Sequence, residues 1–418
     1  MEKYIQTDII IIGGGIAGLY AAHKIKKISP NKNIILLEKE HVLGGRANNE
    51  MFQGTSVVTG AGIGRKNKDK LLLKLMRELE LPIYEFQTGH HYATTFDNTC
   101  DVKKVFLKLR KEFHNNNNNE NRNKTFKEYA TSILGCDLYS TFVKCSGYTD
   151  YENEDAYETL YNYGFDDIYQ TSWTGFSVPW KKLIETLSSK IGIENIHVDS
   201  FVTQINPKSD NEITIHCKCG KKNIMYSCEK AIIATTIEGV LKLIPNASSK
   251  NSIYNQIHGQ PFLRLYGKFS KSSIPIMKKY VPNLTVVPGP LQKIIPMNPD
   301  DGIYMIAYND NKGSLYMKKF LQNTIENRSM ICSILELSLG IKPDSLKLTS
   351  IKDYYWDIGT HYFEPLREPF KNRTEFMKKA QNPYENMIVV GELLSTNQGW
   401  VEGSLESVEN VLNKKWIL

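Results

Sequence analysis

Asp8-Ile9-Ile10-Ile11-Ile12-Gly13-Gly14-Gly15-Ile16-Ala17-Gly18-Leu19-Tyr20-Ala21-Ala22 decides the fold. Four consecutive isoleucines read as a strand buried on both faces of a parallel sheet, and Leu19, Ala22 and Ile25 continue at helical spacing. Glycines at 13, 15 and 18 sit between that strand and that helix, in the G-x-G-x-x-G spacing. The first makes a tight turn, the second lets a pyrophosphate approach the backbone, and the third lets helix and strand pack closely. The helix N-terminus then faces the negative charge. A second strand, Asn33-Ile34-Ile35-Leu36-Leu37, ends in Glu38, twenty residues beyond Gly18, where a carboxylate can accept ribose hydroxyls. A βαβ dinucleotide site opens the chain.

Working outward, the 418 residues exceed what one core usually organises, at about 150 residues per domain, so two or three domains are expected. Apolar residues make up 41% and charged ones 23%, which excludes a disordered tail or a disulfide-stapled scaffold. The net charge of +7 is spread along the chain, and short clusters such as Lys278-Lys279 read as solvated faces, so nucleic acid is not the expected partner. No apolar run is long enough to span a bilayer. Residues 1–8 lack the order of a secretory signal, and the seven cysteines are irregularly spaced, so a cytoplasmic or otherwise intracellular setting is expected. His216, Cys217, Cys219 and Cys228 fit no common structural-zinc spacing and read instead as a hairpin turning at Gly220-Lys221-Lys222-Asn223, so no metal is expected. The polar run Asn115–Asn119 reads as a surface loop.

Further buried strands are expected at Lys230–Thr235 and Met387–Gly391, with helices at Lys70–Leu79, Trp180–Leu187 and Ser404–Leu412. Short alternating strands are expected at Ile196–Val198, Phe201–Ile205 and Glu212–Ile215. Parallel-type strands at the start, middle and end, with aromatic-rich sequence between, imply two interleaved domains.

Glu38 is followed by Lys39-Glu40-His41-Val42-Leu43-Gly44-Gly45-Arg46, a second glycine pair with a guanidinium able to offset pyrophosphate charge. From Asp8 to Arg46 the chain resembles the flavin-containing amine oxidases, the monoamine, polyamine and L-amino-acid oxidases among them. The resemblance extends in order. Thr59-Gly60-Ala61-Gly62-Ile63-Gly64 is similar to the segment passing the flavin ring, and Phe201-Val202-Thr203 to the strand whose valine backbone meets the adenine. Ile232-Ile233-Ala234-Thr235-Thr236 resembles a strand ending in Ala-Thr-Pro, with Thr236 in place of proline. Val390-Gly391-Glu392 with Gly399-Trp400-Val401-Glu402-Gly403 resembles the terminal motif, in which the carboxylate holds the ribityl or phosphate end and amides at a helix start stabilise anionic reduced flavin.

The resemblance implies an α/β fold, a Rossmann-like FAD-binding domain (1–80, 175–258 and 380–418) interleaved with an α+β substrate domain built on a mixed sheet (81–174 and 259–379). It implies FAD as cofactor and a small amine or amino-acid substrate, oxidised by hydride transfer to the flavin. Trp400 and Tyr362 would flank the amine. Many members carry a lysine beside the flavin; along Gly259-Gln260-Pro261-Phe262-Leu263-Arg264, alternation puts Arg264 in its slot. Arginine keeps its charge, so Arg264 either binds a substrate carboxylate or holds the flavin edge while slowing reoxidation by O2. His361 is expected to be a polar loop residue. The competing readings are a flavin dehydrogenase or desaturase for an apolar substrate, and a flavin-fold module without catalysis.

Overall fold

The computed structural model describes residues 3–115, 123–163, 173–209 and 212–418. Most of the asparagine-rich run, and the loop expected there, lies outside the described residues.

The first strand runs Lys3–Ile12 and sits in the middle of a seven-stranded sheet. It pairs in parallel with Ile34–Leu37 on one side and with Lys222–Ile233 on the other. Alternate isoleucines enter different cores: Ile9 and Ile11 meet the helices of one face, Ile10 and Ile12 the opposite cluster. Full burial of each side chain contributes roughly 1.5–3 kcal/mol, which explains why an unbroken isoleucine run, and no alternating one, belongs here. Met387–Val389 joins Lys222–Ile233 in parallel, and the hairpin Glu212–Cys219/Lys222–Ile233 turns through Gly220 and Lys221. The short strand expected at Ile196–Val198 is Ile196–His197, and it pairs in parallel with Ile34–Leu37 at the far edge of the sheet.

A second sheet of six strands, ordered Leu348–Phe363, Ile257–Phe269, Ile303–Asp310, Lys293–Asn298, Leu284–Val286 and His90–Tyr92, is antiparallel except for its last pair. The architecture is therefore α/β, with a Rossmann-like sheet and a mixed sheet interleaved along the chain. Beside the second sheet, helices Val102–Asn115, Phe126–Ser146 and Ala156–Tyr161 pack around Phe106, Phe126, Phe142 and Tyr151. Thr125 and Glu128 cap the second of these reciprocally, a signal present in the sequence.

Helix Lys70–Glu78 is capped from a distance. Asp69 at its start is occupied by Arg65, and the backbone N–H groups of Leu71 and Leu72 donate to Glu402 at 2.7 and 2.9 Å. The C-terminal helix Val401–Val411 thereby ties itself to the N-terminal half of the chain. Among the described residues no helix is long and apolar enough to cross a membrane.

Candidate functional site

One cavity of about 1120 Å³ runs between the two sheets. That exceeds the ~300–1,000 Å³ usual for a small ligand and suits a dinucleotide together with a substrate. Its first end is the glycine cradle. Gly13 takes φ +109°, and a Cβ there would stand 2.4 Å from the Ala234 carbonyl oxygen. A Cβ on Gly18 would stand 2.0 Å from the Gly13 oxygen, so this glycine sits off the cavity and closes helix onto strand. Gly15 behaves oppositely: a Cβ there meets nothing within 4 Å and would project into open space. Gly44 donates its N–H to the Gly14 oxygen at 2.8 Å, bringing the second glycine pair beside the first. Glu38, buried on the cavity wall, accepts the Gly14 N–H at 2.6 Å and the Glu40 N–H at 2.9 Å. Val202 lines the same end.

Midway along the cavity, Arg46 and Glu392 meet. The Arg46 Nη1 donates to Glu392 Oε1 and to the Gly359 carbonyl, both at 2.8 Å, leaving the rest of the guanidinium to the cavity. Glu392 also accepts from His361 Nδ1 at 2.5 Å and from the Gly399 N–H at 2.9 Å. His361 Nε2 accepts the Ile237 N–H at 3.1 Å, which holds the ring between Glu392 and the start of the helix at Ile237. Arg46 adds its cation to the buried glutamate. Burial opposes ionisation of Glu392, but its His361 and Arg46 partners outweigh burial and hold the carboxyl at about 2. His361 is thus a buried strand residue, not the loop histidine expected. Glu392 uses its oxygens on the protein and acts on the cavity through Arg46.

The far end is a face of the second sheet. Cross-strand register places Arg264 opposite both Tyr308 and Tyr354, and Phe262 opposite both Asp310 and Trp356. All six side chains belong to residues lining the cavity. Trp356 donates its indole N–H to the Thr59 carbonyl at 2.9 Å, which fastens this face to the segment Thr59-Gly60-Ala61 on the cradle side. Trp400, at the start of helix Val401–Val411, lies edge-on to Trp180. The Trp400 Nε1 and Thr360 Oγ1 atoms are buried without partners, and both residues line the cavity. Unpaired buried polar atoms beside a glycine-lined cradle fit a ligand rich in carbonyl and hydroxyl groups, as a flavin dinucleotide is.

A family model for NAD(P)-binding Rossmann-like domains matches residues 11–79. Among solved structures, putrescine oxidase in complex with putrescine superposes with a TM-score of 0.72 at 13% identity, covering 97% of this chain and 98% of that one. Cyclohexylamine oxidase of Brevibacterium oxydans IH-35A gives 0.71 at 14% identity over 97% of each chain. The fold is that of the flavin amine oxidases. Among protein sequences, an uncharacterised protein of Acanthamoeba polyphaga mimivirus is 21% identical over 98% of this chain and 94% of its own length. An FAD-dependent oxidoreductase of Monascus ruber is 27% identical over 25% of this chain and 23% of its own.

Within this amine-oxidase fold most of the expected residues converge. Gly13, Gly15, Glu38, Gly44, Gly45, Arg46, Val202, Arg264, Gly391, Glu392, Gly399, Trp400 and Val401 share the cavity wall. Three do not. Gly18 lies off the wall, where it closes helix onto strand. Gly62 turns aside, its carbonyl accepting the Trp180 indole N–H at 2.9 Å, and borders a separate cavity of about 570 Å³. Tyr362, expected to face Trp400, lies six residues further along its strand than Trp356, opposite His258, and packs against that ring, centroids 5.2 Å apart. The strand outruns the cavity, and the aromatics it brings to the wall are Tyr354, Tyr355 and Trp356. Gly359 leaves room beside it, and a Cβ there would strike the Phe262 ring at 2.0 Å. Phe262, Tyr308, Asp150 and Asp310 also line the cavity, although no motif marked them.

Proposed function

We infer that this chain is an FAD-dependent oxidoreductase that oxidises an amine. The observation that carries the reading is the single cavity joining the glycine cradle to an aromatic sheet face. Gly15 leaves the backbone open to a pyrophosphate, the helix at Ile16 directs its N-terminus there, Arg46 adds a positive charge, and Glu38 offers acceptors to a ribose. Bound FAD supplies the acceptor for a hydride leaving the carbon beside a neutral amine, and water hydrolyses the resulting imine.

The protein's own task is to position and desolvate the amine. Trp400, Trp356, Phe262 and Tyr308 wall the substrate end and exclude water from it, while the Trp400 indole N–H remains free to donate. The charged groups at that end, Arg264, Asp150 and Asp310, argue against dehydrogenation of a purely apolar substrate. The test is direct. Purified protein should be yellow, carry FAD in equal molar amount, and bleach near ~450 nm when mixed anaerobically with its amine substrates. A colourless protein that takes up no added FAD overturns the reading of the cofactor. Bound FAD that no amine in a broad panel reduces overturns the reading of the reaction.

A further inference from the structure

Arg264 is 6% exposed, yet among the described residues no carboxylate stands within 4.0 Å of it. Its guanidinium carbon lies 3.6 Å from the Tyr308 ring centroid and 4.3 Å from that of Phe262, so the two rings clamp the group between their faces. The Nε donates to the Gly60 carbonyl at 3.2 Å, and Nη1 makes only a long contact of 3.4 Å to the Leu263 carbonyl. Among the described residues the remaining donors have no partner, and they belong to a residue on the cavity wall.

Nearby acids are committed elsewhere. Asp310 accepts from the Thr149 N–H at 3.1 Å, from the Thr149 hydroxyl and from Gln292 Nε2 at 3.0 Å. Asp150 accepts from the Tyr163 hydroxyl, and burial, reinforced by the charge of Asp310, pushes its carboxyl up to about 7. Both lie in the field of Lys293, whose ammonium is 2.7 Å from the Tyr148 ring centroid and 4.6 Å from that of Tyr308. Burial pushes the Lys293 ammonium well below the ordinary lysine range, so this group can shed its charge. Arg264 is left over, and an arginine cannot shed its charge to relieve burial. A planar fork of donors held rigid by two rings matches a carboxylate in bidentate fashion.

We propose that Arg264 receives an anionic group of the substrate, so that the amine oxidised here also carries a carboxylate. The inference rests on the amine-oxidising reading and narrows it. Putrescine and cyclohexylamine, after which the two structural neighbours are named, carry no such group.

The experiment uses the FAD-loaded protein and has two arms. Matched pairs such as phenylalanine and 2-phenylethylamine are compared as anaerobic reductants of the flavin, and the carboxylate-bearing member should react at least ~100-fold faster. In the second arm, 3-phenylpropanoate and 3-phenylpropanamide are titrated into oxidised holoprotein while the flavin spectrum is followed. The carboxylate should bind about 10- to 100-fold more tightly than the amide, as expected for a charge-assisted pair. Arg264→Gln should abolish that preference with FAD content unchanged, and Arg264→Lys should keep part of it because charge remains while the fork is lost. Equal reduction by both members of each pair, or an undiminished carboxylate preference in Arg264→Gln, overturns the proposal. If no compound reduces the flavin, the amine reading falls separately. The titration then decides on Arg264 by itself: a carboxylate preference lost in Arg264→Gln supports it, and equal binding of acid and amide overturns it.

Discussion

The two ends of the cavity are built by opposite means. The cradle draws nearly all its parts from one continuous stretch, residues 13–46, where backbone atoms and missing side chains do the shaping. The sheet face at the other end takes Arg264, Tyr308 and Trp356 from three strands, and Trp400 from a helix start near the C-terminus, and shapes itself with large and charged side chains. A ligand held by backbone and glycines needs the chain to turn in one way, so its site leaves a local pattern. A face held by side chains depends on register, which a sequence does not display.

That contrast can be broken hardest at Gly15. Gly15→Leu should leave the apoprotein folded, since a Cβ there meets no atom within 4 Å, but should reduce FAD affinity more than ~1,000-fold by filling the pyrophosphate's place. Gly13→Ala should fail differently, costing on the order of 3 kcal/mol of stability through its positive φ and the Ala234 carbonyl. Thermal melts with and without FAD separate the two outcomes. Equal loss of fold in both variants would erase the distinction between an open and a packed glycine.

Glu392 sits where the two ends meet. Its folded carboxyl, at about 2, lies below the ordinary carboxylate range, so it adds stability above about pH 4.5 that is lost as pH falls toward 2. The shift corresponds to roughly 3 kcal/mol at neutral pH. Glu392→Gln should therefore melt at lower temperature at pH 7 and show a flatter acid limb between pH 5 and 2, measured on apoprotein at about constant ionic strength. An unchanged acid limb would remove Glu392 as the junction of the two regions.

On the substrate face, Trp400→Ala should retain FAD and slow anaerobic flavin reduction about 10- to 100-fold, since the wall and its free indole N–H are lost together. The smallest effect is expected at Tyr362. Tyr362→Ala should change that rate less than about 3-fold, because the ring packs on His258 beyond the cavity. Stopped-flow traces of the two variants that coincide would show that a place on the cavity wall does not set a ring's part in the reaction.

How much was legible follows the same division. The G-x-G-x-x-G turn, Glu38 and the second glycine pair stood in the chain as a pattern whose spacing carries its own mechanism, and the isoleucine run announced a strand buried on both faces. The terminal Gly-Glu and Gly-Trp motifs were legible by resemblance. A position on the cavity wall does not give a residue's protein partners. Glu392 directs its oxygens at Arg46, His361 and Gly399, and Glu402 caps a helix more than three hundred residues away in the chain. Tyr362 failed because a sixteen-residue strand carries aromatics at many positions, and only its pairing with Ile257–Phe269 settles which of them reach the cavity.

The sequence by itself determined that a βαβ unit opens the chain and that a dinucleotide cradle follows the first strand, because glycine spacing and β-branched runs act through local backbone geometry. Tertiary structure decided that Phe262 fills the room beside Gly359, that His361 is buried against Glu392, and that Arg264 stands clamped between two rings without an acid partner among the described residues. Those facts depend on which strands lie side by side and in what register. Charge pairing and packing are set by distance in space, and no local pattern encodes that distance.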